Sequence, residues 1–112
     1  MSAKLEVLKK LEEWLAMLQP ALLQFPKASR FTLAQRIENT SLELIDLVVT
    51  ANLEKARRSE HILRARVVAE RLQILIRVAR QRSFLDVHRY EVFSERIVEI
   101  AKMLAGWARV SK

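Results

Sequence analysis

The chain has 112 residues, no cysteine, one glycine and two prolines, and a net charge of +7 from 20 basic and 13 acidic side chains. This composition excludes a disulfide framework and thiolate metal sites, and it lacks the turn residues of an all-β fold. The length fits one domain with a single core, residues 1–112. Because there is no signal-peptide pattern and no apolar run of about 20 residues, we predict a soluble cytoplasmic protein.

The first predicted helix spans about residues 3–23. Pro20 should kink or end this helix, since proline removes a backbone hydrogen bond and crowds the preceding turn. The apolar side chains of the helix recur at three- and four-residue spacing, which is typical of an amphipathic helix. These positions are Leu5, Leu8, Leu11, Leu15 and Leu18.

The segment FPKASRFTLAQRIENT, residues 25–40, leads into the second helix. That helix is predicted from near Thr32 to about Arg58, with Thr32 as N-cap and Gln35 completing a capping box. Phe25 and Phe31 are expected to fold onto the end of the bundle and to fix the angle at which the chain enters the helix. The two cations between them should stay exposed on the loop.

The third helix is predicted at about residues 59–81, with Ser59 as a candidate N-cap. After a short turn at 82–85, the fourth helix runs from about Asp86 or Val87 to Val110, and Asp86 is its expected N-cap. Four helices with short connections indicate an all-α, antiparallel up-down-up-down four-helix bundle. Trp14 and Trp107 should pack against each other or against a subunit rim.

Helices 2 and 3 carry more apolar positions than one core requires. On a helical wheel, Val68 and Leu72 belong to one apolar arc of helix 3, and a second arc lies on nearly the opposite side. An outer helix of a monomeric bundle needs one apolar stripe, so the second arcs predict contact with a neighbouring subunit. The alternative is a thick core with partly exposed aliphatic side chains. The predicted interface residues are Leu63, Val67, Ile74 and Val78 on helix 3, with Ile45 and Val49 on helix 2.

Helix 3 also carries more than half of the net positive charge. Residues 59–82 contain six arginines against Glu60 and Glu70, an excess of +4. Some of these arginines are expected to pair with Glu60, Glu70 or acids of helix 2. Because arginine makes bidentate contacts with phosphate, a polyanion is the first partner to consider, and a solvated surface rich in ion pairs is the alternative. The predicted phosphate contacts are Arg64, Arg71, Arg77, Arg80 and Arg82, with Lys27 and Arg30 as secondary contacts.

The sequence offers no pattern for catalysis. One glycine is too few for a phosphate loop, a dinucleotide fingerprint or a serine-hydrolase elbow. His88 and Glu91 lie one turn apart, as in half of a di-iron site, but the paired Glu-x-x-His motifs of such a bundle are missing. We therefore predict that the protein is not an enzyme and that it has no metal site and no cofactor.

Four short motifs occur together in this chain: FPK at 25–27, RFTL at 30–33, QRI at 35–37 and MLAGW at 103–107. With them, roughly residues 25–107 resemble the accessory variability determinant (Avd) family of diversity-generating retroelements. That family belongs to a wider set of four-helix-bundle proteins, which includes those encoded in ribosomal-RNA intervening sequences. The resemblance implies a basic homopentameric barrel of four-helix bundles without enzymatic activity. It also implies association with a reverse transcriptase and nucleic acid, in support of mutagenic complementary-DNA synthesis from a template RNA.

Two functions compete at this point. The first is a nucleic-acid-binding accessory subunit of a reverse transcriptase, which would contact RNA or DNA through backbone charge and shape because no base-reading motif is visible. The second is an oligomeric scaffold of the wider four-helix family, whose basic surface binds an acidic protein partner and no nucleic acid. An anionic membrane surface fits the aromatic and lysine pattern poorly, and we predict no membrane partner.

Overall fold

The computed structural model describes residues 3–111, with side chains from residue 6 onward, and those residues contain four long helices and no β-strand. The predicted all-α class is therefore confirmed. The helices are α1 (Ala3–Leu22), α2 (Gln35–Leu53), α3 (Arg58–Gln81) and α4 (Val87–Val110). Helix α1 ends shortly after Pro20, as predicted.

The helices form a closed arrangement in which each packs against the next in the chain and α1 also packs against α4. Ion pairs give the relative direction of α1 and α4. Lys10 lies 3.0 Å from Glu99, whereas Glu13, one turn further along α1, lies 3.9 Å from Arg96. The two helices therefore run in opposite directions. The bundle measures 43 × 24 × 20 Å, and its antiparallel architecture is the predicted one.

Trp14 and Phe93 anchor the core between α1 and α4. Their rings meet edge to face, with centroids 5.4 Å apart, a geometry that aromatic pairs prefer. The Trp14 indole N–H donates to the Ser41 hydroxyl at 2.9 Å, and that hydroxyl donates to the carbonyl of Ile37 at 2.9 Å. The buried indole N–H of Trp14 and the buried hydroxyl of Ser41 are thus both satisfied, which avoids the cost of an unpaired donor.

One alternative in the prediction was that Trp14 packs against Trp107, and this is wrong. The antiparallel register brings Glu13 of α1 beside Arg96 of α4, so Trp107 lies about three turns away along the helix. Trp107 is buried near the end of α4, where the guanidinium of Arg58 lies 6.0 Å from its ring centroid. This contact joins the start of α3 to the end of α4.

The start of α2 differs from the prediction. A 3₁₀ turn (Lys27–Ser29) runs into a π-helical turn (Arg30–Ala34), which continues directly into α2. Thr32 lies inside the π-helical turn, and the residue before α2, Ala34, provides no side-chain cap. The predicted capping box of Thr32 and Gln35 is wrong, because an N-cap must precede the first helical residue.

Phe25 and Phe31 behave differently from each other. Phe25 is buried as expected and packs on Phe84 of the α3–α4 turn, with ring centroids 5.3 Å apart. The π-helical turn places Ala34 against the core and leaves Phe31 83% exposed. The expectation that Phe31 folds onto the bundle end is therefore wrong for this residue.

The junction of α2 and α3 also differs from the prediction. Helix α2 ends at Leu53, not at Arg58, because the backbone leaves helical geometry at Glu54. The Arg58 side chain then donates to the carbonyls of Ala51 and Asn52 at 2.8 and 2.9 Å, and so satisfies groups that the helix end leaves without partners. Helix α3 consequently begins at Arg58, one residue before the predicted start.

Ser59 is not the N-cap of α3, because it already lies within the first turn of that helix. Its hydroxyl instead donates to the carbonyl of Ser111 at 2.8 Å, just beyond α4. This bond fixes the start of α3 against the end of α4, in agreement with their antiparallel packing.

The turn between α3 and α4 is closed by backbone hydrogen bonds. The N–H of Phe84 donates to Ala79 and that of Ser83 to Arg80, both at 2.9 Å. Ser83 has a φ of 63°, the left-handed conformation found in this type of helix ending. Asp86 then caps α4 as predicted, since its carboxylate accepts the backbone N–H of Arg89 at 2.7 Å.

Replacing Asp86 by alanine removes the cap of α4. We expect Asp86→Ala to lower the free energy of unfolding by about 1 kcal/mol, whereas Asp86→Asn keeps an acceptor and should lower it by less. Urea unfolding at a fixed protein concentration measures both values. Equal losses in the two variants would contradict a capping role.

Candidate nucleic-acid interface

Helix α3 divides its apolar side chains between two opposite faces. Val68 and Leu72 are buried in the core, as the first predicted arc requires. Leu63, Val67 and Ile74 are 58%, 45% and 51% exposed on the other face. We call these three residues the α3 stripe. Large apolar side chains that stay exposed along one face of a helix often mark a protein contact, so the stripe is a candidate subunit interface.

The other predicted interface residues are less uniform. Val49 is exposed on α2, and Ile45 is partly buried against the core. Val78 is partly buried and lines a cleft near the start of α2. Leu42 and Leu53 of α2 are exposed but were not among the predicted contacts, although their helical-wheel positions beside Val49 indicate the same face.

Two predicted arginines lie on the α2 side of the α3 stripe. Arg64 and Arg71 are exposed and line a groove of about 380 Å³ between α2 and α3, which we call the α2–α3 groove. Glu43 and Asp46 of α2 line the same groove. Positive and negative charge therefore meet there, which reduces the net potential that a polyanion would meet.

Two further predicted arginines lie on the α4 side of α3. Arg77 is exposed and lines a smaller cleft with Tyr90 and Ser94. Arg80 is partly buried, and its guanidinium donates to the carbonyl of Leu85 at 2.9 Å. Arg80 thus supports the α3–α4 turn, and only part of its hydrogen-bonding capacity is free for another group.

The acids near α3 do not neutralise its arginines in the way predicted. Glu60 receives two hydrogen bonds from Arg57, at 3.0 and 2.9 Å. These bonds, and the charge of Arg57, lower the pKa of Glu60 and raise that of Arg57. Among the described residues, none of the six arginines between Arg64 and Arg82 belongs to an ion pair. The pairing predicted for Glu60 is wrong because Arg57, in the preceding turn, already occupies it.

A further basic cluster lies where α2 begins and α3 ends. Arg36 and Arg82 line a cleft of about 310 Å³ there, together with the polar side chains of Ser29 and Thr32. We call this the end cleft. Arg82 was among the predicted contacts and Arg36 was not. The position of Arg36 in the QRI motif does not indicate that it lies near Arg82, because the two arginines are far apart in sequence.

The secondary contacts lie on the turns that precede α2. Lys27 is exposed in the 3₁₀ turn, and Arg30 is exposed in the π-helical turn. The Arg30 guanidinium donates to the carbonyl of Leu23 at 3.2 Å, which ties it to the end of α1. Both cations remain accessible, as the sequence predicted.

The two histidines have different surroundings. His61 is buried, and its Nε2 lies 3.0 Å from a carboxylate oxygen of Glu54, whereas His88 is exposed. Within the described residues, no group of three or more potential metal ligands forms. No helix of the described chain has the length and apolar character needed to span a bilayer.

Fold and surface together define a small, basic four-helix bundle with an exposed apolar stripe on its most basic helix. The chain belongs to the bAvd-like family, since the sequence model of that family matches residues 5–111. This membership confirms the resemblance to the Avd family. No individual curated protein and no solved structure is significantly similar to the chain.

Proposed function

We propose that the protein is a non-catalytic accessory subunit of a diversity-generating retroelement. In this role it forms a homopentamer in the cytoplasm, binds the reverse transcriptase and the template RNA or complementary DNA, and supports mutagenic complementary-DNA synthesis. The observation that carries the proposal is the bAvd-like family match, which extends over residues 5–111 and so over nearly the whole chain.

The apolar surface supports the oligomer. The α3 stripe lies on one helix and the exposed apolar side chains of α2 lie on another, so one protomer offers two sets of exposed apolar side chains. If the α3 stripe of one protomer packs on α2 of the next, an open row of protomers leaves apolar side chains uncovered at each of its two ends. When the row closes into a ring, this head-to-tail contact covers those side chains in every protomer.

The arginines of α3 support nucleic acid as a partner. They flank the α3 stripe on both sides and form no ion pairs with the described carboxylates. Closure of a ring would repeat these cations around its surface. Several weak phosphate contacts then act together, because binding at one protomer raises the effective concentration at the next.

Complementary-DNA synthesis tests the proposal directly. The reverse transcriptase of a bAvd-containing retroelement would be assayed on its own template RNA with and without this chain, and product length and error rate would be measured. We expect the chain to co-purify with the enzyme and to be required for long, mutated products. No effect on synthesis, together with binding to an acidic protein and not to RNA or DNA, would favour the scaffold alternative.

The contribution of the α3 cations can be measured with one double variant. Arg71 and Arg77 lie on opposite sides of the α3 stripe, so Arg71→Ala/Arg77→Ala removes charge from both flanks. Each lost phosphate contact should reduce the slope of log affinity against log salt by about one unit, for all sequences alike. The measurement is binding of unrelated RNA and DNA oligonucleotides across a salt series.

The matched control is Arg89→Ala/Arg109→Ala, which removes the same charge from exposed positions on α4. We expect the control to keep the wild-type slope within about half a unit. Equal slopes in the two double variants would show that net charge, and not the flanks of α3, determines binding.

A further inference from the structure

We propose that the end cleft binds a backbone phosphate of a nucleic-acid strand, held between Arg36 and Arg82. The inference rests on the proposed function in one respect, namely that nucleic acid is a partner of this protein. It adds a defined site at the end of the bundle, away from the middle of α3. Arg36 comes from the first turns of α2 and Arg82 from the end of α3, and both side chains are exposed.

One of the two guanidinium groups is held in position before any ligand arrives. The guanidinium of Arg82 lies 5.6 Å from the ring centroid of Phe84, a cation–π contact. Phe84 is itself fixed against the buried ring of Phe25, with centroids 5.3 Å apart. The FPK motif thus supports Arg82 through two aromatic rings. A side chain that is already ordered loses less conformational entropy when it binds a ligand.

The charge in the end cleft is not balanced by acids. Within the described part of the chain, no carboxylate lines this cleft, whereas Glu43 and Asp46 line the α2–α3 groove beside Arg64 and Arg71. Two cations in a concave surface focus positive potential at its mouth. An anion should therefore be attracted more strongly to the end cleft than to the α2–α3 groove.

The polar groups around the two arginines suit a phosphate. Each guanidinium can donate two parallel hydrogen bonds to phosphate oxygens, and the hydroxyls of Ser29 and Thr32 line the same cleft. The two non-bridging oxygens of a backbone phosphate share its negative charge, and each can accept from more than one of these donors.

Inorganic phosphate is the first probe of the site. Backbone amide and arginine side-chain NMR signals of the full chain would be followed during a phosphate titration. We expect shifts at residues 29–36 and 82–84, and their loss in Arg36→Ala/Arg82→Ala. Arg36→Lys/Arg82→Lys keeps the charge but not the guanidinium fork, so it should recover only part of the binding.

Single-stranded oligonucleotides, with normal and with uncharged methylphosphonate linkages, form the second arm. The double alanine variant should bind the normal strand at least about tenfold more weakly than wild type. Its salt slope should fall by about 0.7 unit, the value for the loss of one phosphate contact with a single strand. With uncharged linkages, the double alanine variant and wild type should bind the strand with the same affinity. The control Arg89→Ala/Arg109→Ala removes equal charge from exposed positions on α4, outside the cleft, and thermal unfolding should show that all variants are folded.

The outcomes separate this site from the proposed function. If Arg36→Ala/Arg82→Ala binds oligonucleotides like its control while Arg71→Ala/Arg77→Ala binds weakly, the end cleft is not a phosphate site but the proposed function stands. If wild type binds no nucleic acid at any salt concentration, both proposals fail. Binding of a polyglutamate peptide in preference to the oligonucleotide, abolished by the double alanine variant, would assign the cleft to an acidic protein instead.

Discussion

Ile74→Glu is expected to dissociate the proposed homopentamer into monomers. Light scattering at moderate salt should give wild type a mass of about five times the 13.1 kDa of one chain, and the variant a mass near 13.1 kDa. Ile74 is 51% exposed in the single protomer and lies in the α3 stripe. A carboxylate placed there loses its hydration when the interface forms, and an unpaired buried charge costs several kcal/mol per contact.

The neighbours of Ile74 require a second variant. Arg71 and Arg77 lie three residues away on either side, within reach of a side chain at position 74. A new glutamate could pair with one of them and lose part of its effect. In Ile74→Lys the new ammonium could pair with Glu70, one turn earlier, but Arg71 and Arg77 repel it, so this variant should also dissociate the oligomer. Val67→Glu, in the same stripe, is expected to behave like Ile74→Glu.

The matched control lies on another helix. Val98 is an exposed valine of α4, outside the α3 stripe and the exposed face of α2. Val98→Glu introduces the same charge at similar exposure and should leave the mass unchanged. A wild-type protein that is monomeric at micromolar concentration would refute the oligomer. If Val98→Glu dissociates the oligomer and Ile74→Lys does not, the subunit interface lies on α4 and not on the α3 stripe.

Local chemistry explains which parts of the fold could be predicted. The helical wheel separated the buried face of α3 from the α3 stripe correctly, because the periodicity of apolar residues reports burial directly. Asp86 was predicted as a cap because the acceptor and the N–H that it binds are close in sequence. Thr32 and Ser59 offered similar signals and were wrong. Any serine or threonine before an apolar run resembles a cap, and only tertiary contacts decide where the helix begins.

The basic surface was predictable in part for the same reason. The excess charge of α3 follows from its sequence, and its arginines are exposed where the wheel placed them, apart from Arg80. The hydrogen bond of Arg80 to Leu85 depends on the conformation of the turn after α3, which the sequence pattern does not specify. Arg36 and Arg82 meet only because α2 and α3 pack antiparallel, so no pattern along the chain could indicate the end cleft.

Two phenylalanines, one in the core and one on the surface, should contribute very differently to the stability of the bundle. Phe93→Ala should lower the free energy of unfolding by about 3–5 kcal/mol, because it opens a cavity in the core beside the ring of Trp14. Phe31 is the matched control, since the same substitution removes a ring that is 83% exposed. Phe31→Ala should change stability by no more than about 0.5 kcal/mol. Urea unfolding at one fixed protomer concentration measures both, because subunit association also contributes to apparent stability.

The result for Phe31 also depends on what covers it in the assembly. In the single protomer its ring lies beside a cleft of about 490 Å³ at the end of α1, lined by Leu22 and Leu23. If Phe31→Ala destabilises the wild-type oligomer strongly but has no effect in the Ile74→Lys monomer, the ring is buried by a neighbouring subunit. If Phe31→Ala lowers the stability of both the wild-type oligomer and the Ile74→Lys monomer as much as Phe93→Ala does, Phe31 is not exposed in the single protomer. A loss confined to Phe93→Ala would establish that Phe93 belongs to the core of each protomer and that Phe31 does not.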